Sequence, residues 1–122
     1  MPKKQAIPPE IQAEVLKVVD DFNRKTFTKA QNPIMKALFG NAKPGFTARF
    51  KGKFLYLDRT DGGRASEICR LTWNGSMNNW DFAIYRHSRN FYDPDEWMFP
   101  GAEHVNGTVE GALKAGIEAY PM

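Results

Sequence analysis

From Phe46 to Arg86 the apolar residues tend to recur at every second position, whereas on either side they recur at steps of three and four. Successive side chains of a strand point to opposite faces, while a helix returns to the same face every 3.6 residues. A chain whose period changes twice in this way has few ways to fold. The expected class is α+β: an N-terminal helix, a four- or five-stranded antiparallel meander, and a C-terminal helix packed on the sheet.

Pro8-Pro9-Glu10 opens the first helix, since proline is tolerated in a first turn and an acid suits the positive end of the dipole. Ile11, Val15, Val18, Val19 and Phe22 then fall on one side, predicting about three to four turns. "NPIMKALFGNAKPG" suggests a short second helix from Ile34 to Phe39, closed by Gly40. Two strands, "FTARF" and "KFLYLDR", join at Lys51-Gly52, and "TDGG" reads as the next turn. "SEICRLTW" is the third strand, "NGSMNN" a turn and "WDFAIYR" the fourth strand. In the last helix Val109, Ala112, Leu113, Gly116, Ile117 and Tyr120 form one stripe, Asn106 or Thr108 is placed to cap it, and Pro121 ends it. Gly111 and Gly116 each cost about 1 kcal/mol there relative to alanine. A glycine on the stripe at 116 implies close approach to the sheet; at 111 the sequence offers no reason.

At 122 residues, 42% of them hydrophobic, the chain suits a single domain with a core of its own, spanning 1–122. Cys69 has no second cysteine to pair with, and "MPKKQAIPPE" lacks the apolar run of a secretory signal, so a cytoplasmic location is expected. No apolar run approaches membrane-spanning length, and no membrane partner is expected. The net charge of +3 is uneven. Residues 1–59 hold twelve Lys/Arg against five Asp/Glu, giving +7, and residues 60–122 hold five against nine, giving −4. A basic first half attracts polyanions or acidic proteins, unless the two halves interleave their charges on one surface.

Alternation divides the sheet. Cys69, Leu71, Trp73, Trp80, Phe82 and Ile84 make an apolar face for the C-terminal helix. The other face receives Ile68, Arg70, Thr72, Asp81, Ala83 and Tyr85, with Arg49, Tyr56, Arg86 and His87 joining it or lying close by. Rings beside arginines on a rigid sheet suit stacking on bases and pairing with phosphates, as in readers of single strands. The competing expectation is that the first helix covers this face. A one-residue slip would exchange the two faces.

"RNFYDPDEWMFPG" (89–101) gathers four aromatics and three carboxylates in what reads as a loop. Either Trp97 and Phe99 fold back as a short fifth strand or plug, or Tyr92 and Trp97 stay exposed as anchors for a partner protein or a second copy.

Catalytic signals are sparse. His87, Asp93, Asp95, Glu96, Glu103 and His104 lie close in sequence, but their spacing matches no metal signature. Cys69 falls on the core face, where a Cys69–His87 pair is difficult to form, and no serine has the nucleophile-elbow context. "DGGR" lacks the spacing of a phosphate-binding loop. No cofactor, metal ligand set or catalytic residue is expected.

The element order is that of the double-stranded RNA-binding domain, yet Glu110 stands where lysines should meet phosphate, which argues against that assignment. A fold-level likeness to the plant AP2-type domain would place Arg49, Arg59, Arg70 and Arg86 on DNA. Over about the last fifty residues, "WNGSMNNWDFAIYRHS", "YDPDEWMFPGAEHVNGT" and "VEGALKAGIEAYP" together resemble a block in small uncharacterised bacterial proteins. That resemblance implies a natural bacterial domain and brings no activity or functional residue with it. The function expected is a non-enzymatic binding module that contacts nucleic acid or an acidic partner through Arg49, Tyr56, Arg70, Tyr85, Arg86 and His87. The alternatives are protein–protein or self-association through loop 89–101, and a small enzyme or metal protein based on His87 and its neighbouring carboxylates.

Overall fold

A computed structural model describes residues 6–26, 45–60 and 65–120. Helix α1 runs Pro9–Thr26, five strands follow as β1 (Gly45–Lys51), β2 (Phe54–Thr60), β3 (Ala65–Thr72), β4 (Asp81–Arg86) and β5 (Phe91–Asp93), and α2 spans Val109–Ala119. The strands form one antiparallel sheet in sequence order. This is the expected α+β architecture. The helix expected at Ile34–Phe39 and residues 61–63 of the "TDGG" turn lie outside the described residues, and Thr60 ends β2.

The fifth strand is Phe91–Asp93, N-terminal to the Trp97–Phe99 segment expected to supply it. Tyr92 pairs with Tyr85, and Asp95 N donates to Asp93 Oδ1 at 2.9 Å, turning the chain straight out of the strand. Trp97 and Phe99 instead set their rings 6.0 and 5.8 Å from Phe82, so the plug is only partly buried.

The apolar face of the sheet is the core. Phe46, Leu55, Leu57, Cys69, Leu71, Trp73, Trp80, Phe82 and Ile84 are buried with Val15 and Val19 of α1 and Val109, Ala112 and Leu113 of α2. Both helices therefore lie on this one side. Asn23 fastens α1 to β1 by accepting from Phe46 N at 2.8 Å and donating to Phe46 O at 2.9 Å. A Cβ at Gly116 would stand 2.6 Å from Ile68 Cγ2, the close approach expected there.

Ile68 corrects the simple alternation, which sends it to the face of Arg70. A bulge lets Leu57 pair with Cys69 while Asp58 pairs with Glu67, leaving Ile68 unpaired. Ile68 turns inward beneath α2 and is 1% exposed.

Candidate functional site

The face opposite the core carries Arg49 on β1, Phe54 and Tyr56 on β2, Arg70 on β3, Tyr85 on β4 and Tyr92 on β5. Their positions follow from the strand register, in which Arg49 meets Tyr56, Tyr56 meets Arg70 and Tyr85 meets Tyr92. Since α1 and α2 occupy the other side, neither of them covers this face. Its rings form a continuous run. Phe54 to Tyr56, Tyr56 to Tyr92 and Tyr92 to Tyr85 have centroids 6.1, 5.3 and 4.9 Å apart.

Two guanidinium groups stack on that run. Arg70 lies 4.6 Å from the Phe54 centroid and 5.5 Å from that of Tyr92, and Arg49 lies 4.8 Å from that of Tyr56. Their states differ. Arg49 is held by Asp58, with Nε donating at 2.6 Å, and this carboxylate raises the guanidinium pKa further. Arg70 is half-buried, and its Nε is buried with no hydrogen-bond partner. Burial, followed by the charge of Asp58, pushes the Tyr92 phenol up to about 12, so it remains a neutral donor at any physiological pH.

The remaining expected residues occupy different surroundings. Tyr85 is buried under its neighbours, with its hydroxyl donating to Asn90 Oδ1 at 3.2 Å. Arg86 alternates to the core side and pairs with Asp93 at 3.3 Å and Glu96 at 3.2 Å. It ties the aromatic loop to β4, so its guanidinium is engaged away from the open face. His87 packs edge-on against Tyr85 and Tyr120, with Nε2 3.1 Å from Glu67 O. Arg59, a DNA-facing residue in the AP2-type likeness, is 4% exposed and lies against Gly116 O and the Phe46 ring.

Trp97 is 48% exposed, and Met98 beside it 94%. Pro94 and Trp97 border a cleft of about 600 Å³ where the open face meets the free part of β4, with Lys53, Phe54, Arg70, Trp80 and Asp81 among its walls. Phe54, Lys53, Trp80 and Asp81 were not among the candidates from sequence. Alternation along "KFLYL" already puts Phe54 on the side of Tyr56. Nothing local brings Trp80 to a cleft; loop closure does, with Trp80 N donating to Gly107 O at 2.9 Å.

Among the described residues, the buried side-chain polar atoms without a hydrogen-bond partner are Arg70 Nε and Trp80 Nε1. Both residues wall this cleft. An unmet buried donor costs about 1–3 kcal/mol and calls for a physical reason. A second cleft of about 590 Å³ runs between the helices, past Glu14, His104, Glu110 and Lys114. Within it Lys114 pairs with Glu110 at 3.6 Å.

No protein-family model, curated protein or solved structure matches the chain. The functional reading therefore rests on the geometry of the site.

Imidazole–carboxylate chemistry appears at a different histidine from the one expected. Glu103, His104 and Glu118 bring ligand atoms within 4.8 Å of one another, with His104 Nε2 3.2 Å from Glu118. The three side chains are at least one-third exposed and form a surface cluster. Cys69 is sealed in the core, and burial pushes its thiol far above the range of a nucleophile. No helix among the described residues is long and apolar enough to cross a membrane.

Proposed function

We propose that the protein binds single-stranded nucleic acid on the open face of its sheet. The observation that carries this reading is Arg70, whose guanidinium lies between the Phe54 and Tyr92 rings on a face covered by neither helix. Bases stack on such rings, while arginine and lysine attract the phosphates between them. Lys51 and Lys53 at the β1–β2 turn extend the positive charge along one edge. Arg49 contributes through its stacked plane, its charge being largely answered by Asp58.

Fluorescence anisotropy with labelled single strands and duplexes, at two salt concentrations, tests the reading. Single strands should bind more tightly, affinity should fall as salt rises, and Arg70→Ala should weaken binding roughly tenfold. Absence of binding at low salt, or binding indifferent to salt, overturns it. An acidic protein is the rival occupant of the same charges, and displacement of the oligonucleotide by a mixed-sequence acidic peptide at matched charge would favour it.

A second reading, association through the aromatic loop, draws on the exposure of Trp97 and Met98. Sedimentation of the wild type and of Trp97→Ala decides it: a monomer at high concentration, unchanged by the substitution, removes self-association.

A further inference from the structure

We infer that the cleft walled by Arg70, Trp80 and Trp97 is a seat for one nucleotide unit, the position at which a strand lying across the open face is anchored. The inference rests on the single-strand reading and adds to it a specific pocket and specific atoms.

Trp80 is 4% exposed and its indole nitrogen has no acceptor; Arg70 Nε is in the same condition, and both residues wall one cleft. Indole and guanidinium groups only donate, so the missing partner is an acceptor: a base carbonyl, a ring nitrogen or a phosphate oxygen. The other walls narrow the class. Lys53 supplies a second cation for a phosphate, Phe54 and Trp97 supply ring faces, and the exposed Asp81 carboxylate accepts from an exocyclic amino group. A nucleotide combines a ring, acceptors, donors and an anionic group, and about 600 Å³ accommodates a ligand of that size. Inorganic phosphate alone would leave the rings unused.

Both nitrogens are buried, so on this inference an acceptor reaches them once a wall side chain turns aside. Trp97 is the least buried ring in the wall at 48% exposed, resting against Phe82 and Phe99. On this inference it is Trp97 that moves, presenting its face to the incoming base.

The chain has three tryptophans, so each indole N–H gives its own signal in a nitrogen–proton correlation spectrum. The Trp80 signal is the one lost in Trp80→Phe; should that variant fail to fold, through-space contacts to the Trp73 ring, 5.0 Å away between centroids, assign it in the wild type. Titration with ribonucleoside 5′-monophosphates should move the Trp80 signal, inorganic phosphate should move it far less, and Trp97→Ala should weaken oligonucleotide binding roughly tenfold. An equal shift with inorganic phosphate overturns the proposal in favour of a plain anion site. If oligonucleotides bind with salt dependence while the Trp80 signal stays still and Trp97→Ala binds like the wild type, the cleft proposal falls and the sheet-face reading stands. If oligonucleotides fail to bind at low salt, both fall.

Discussion

At the scale of single residues, the two glycines of α2 have different reasons to be glycine. A Cβ at Gly116 meets the branched methyl of buried Ile68, whereas one at Gly111 meets the His104 backbone oxygen and Asn106 Oδ1. Gly116→Ala gains about 1 kcal/mol of helix propensity and loses about 1–3 kcal/mol to overpacking, so a net fall in urea midpoint is expected. Gly111→Ala should fall further, because a backbone carbonyl yields less readily than a side chain. Tyr92 supplies a pH test. Its phenol titrates near 10 when unfolded and near 12 when folded, so the folded state holds its proton longer. The resulting stability is present below about pH 10 and is lost as pH rises through about 12. Tyr92→Phe should make the alkaline decline in melting temperature shallower than in the wild type.

Among the elements, α2 depends on its cap and β1–β2 on one ion pair. Thr108 Oγ1 accepts from Gly111 N at 3.0 Å, and Thr108→Ala should cost about 1 kcal/mol in chemical denaturation. Asp58 is 6% exposed and is held at 2.6 Å by Arg49. Arg49→Ala leaves that carboxylate buried without its donor, at a cost of about 1–3 kcal/mol, which should be smaller in the double variant with Asp58→Asn. Arg49 therefore needs a stability control in any binding experiment. Helices α1 and α2 and strands β1 to β4 were legible in sequence because period, glycine turns and caps are local signals. Helix α1 proves longer than its apolar stripe suggests, reaching Thr26 on the strength of Arg24 and Lys25 in its last turn. The bulge at Ile68 was not legible, since a register shift is decided by the partner strand. Nor was β5: "FYD" is too short to show a period.

For the whole molecule, the single thiol reports cooperativity. Cys69 lies among Leu57, Leu71 and Ile84 with no exposed surface, so a disulfide reagent should react with it only through global opening. Its rate should track the unfolding free energy measured with urea; fast labelling of the native protein would mean that the sheet opens locally. The alternation of "SEICRLTW" and "WDFAIYR" determined which residues were greasy, the stripe of α2 determined what would lie on them, and the α+β class followed from both. Only the tertiary structure decided where α1 goes. Its apolar side suits either face of the sheet, and packing beside α2 against Phe46 left Arg70, Tyr56 and Tyr92 uncovered by either helix. Tertiary structure also decided that Arg86 pins a loop and that Trp80 faces a cleft, because both depend on chain segments brought together by closure. A period records which side of an element avoids water, but it carries no information about which of two such sides will meet.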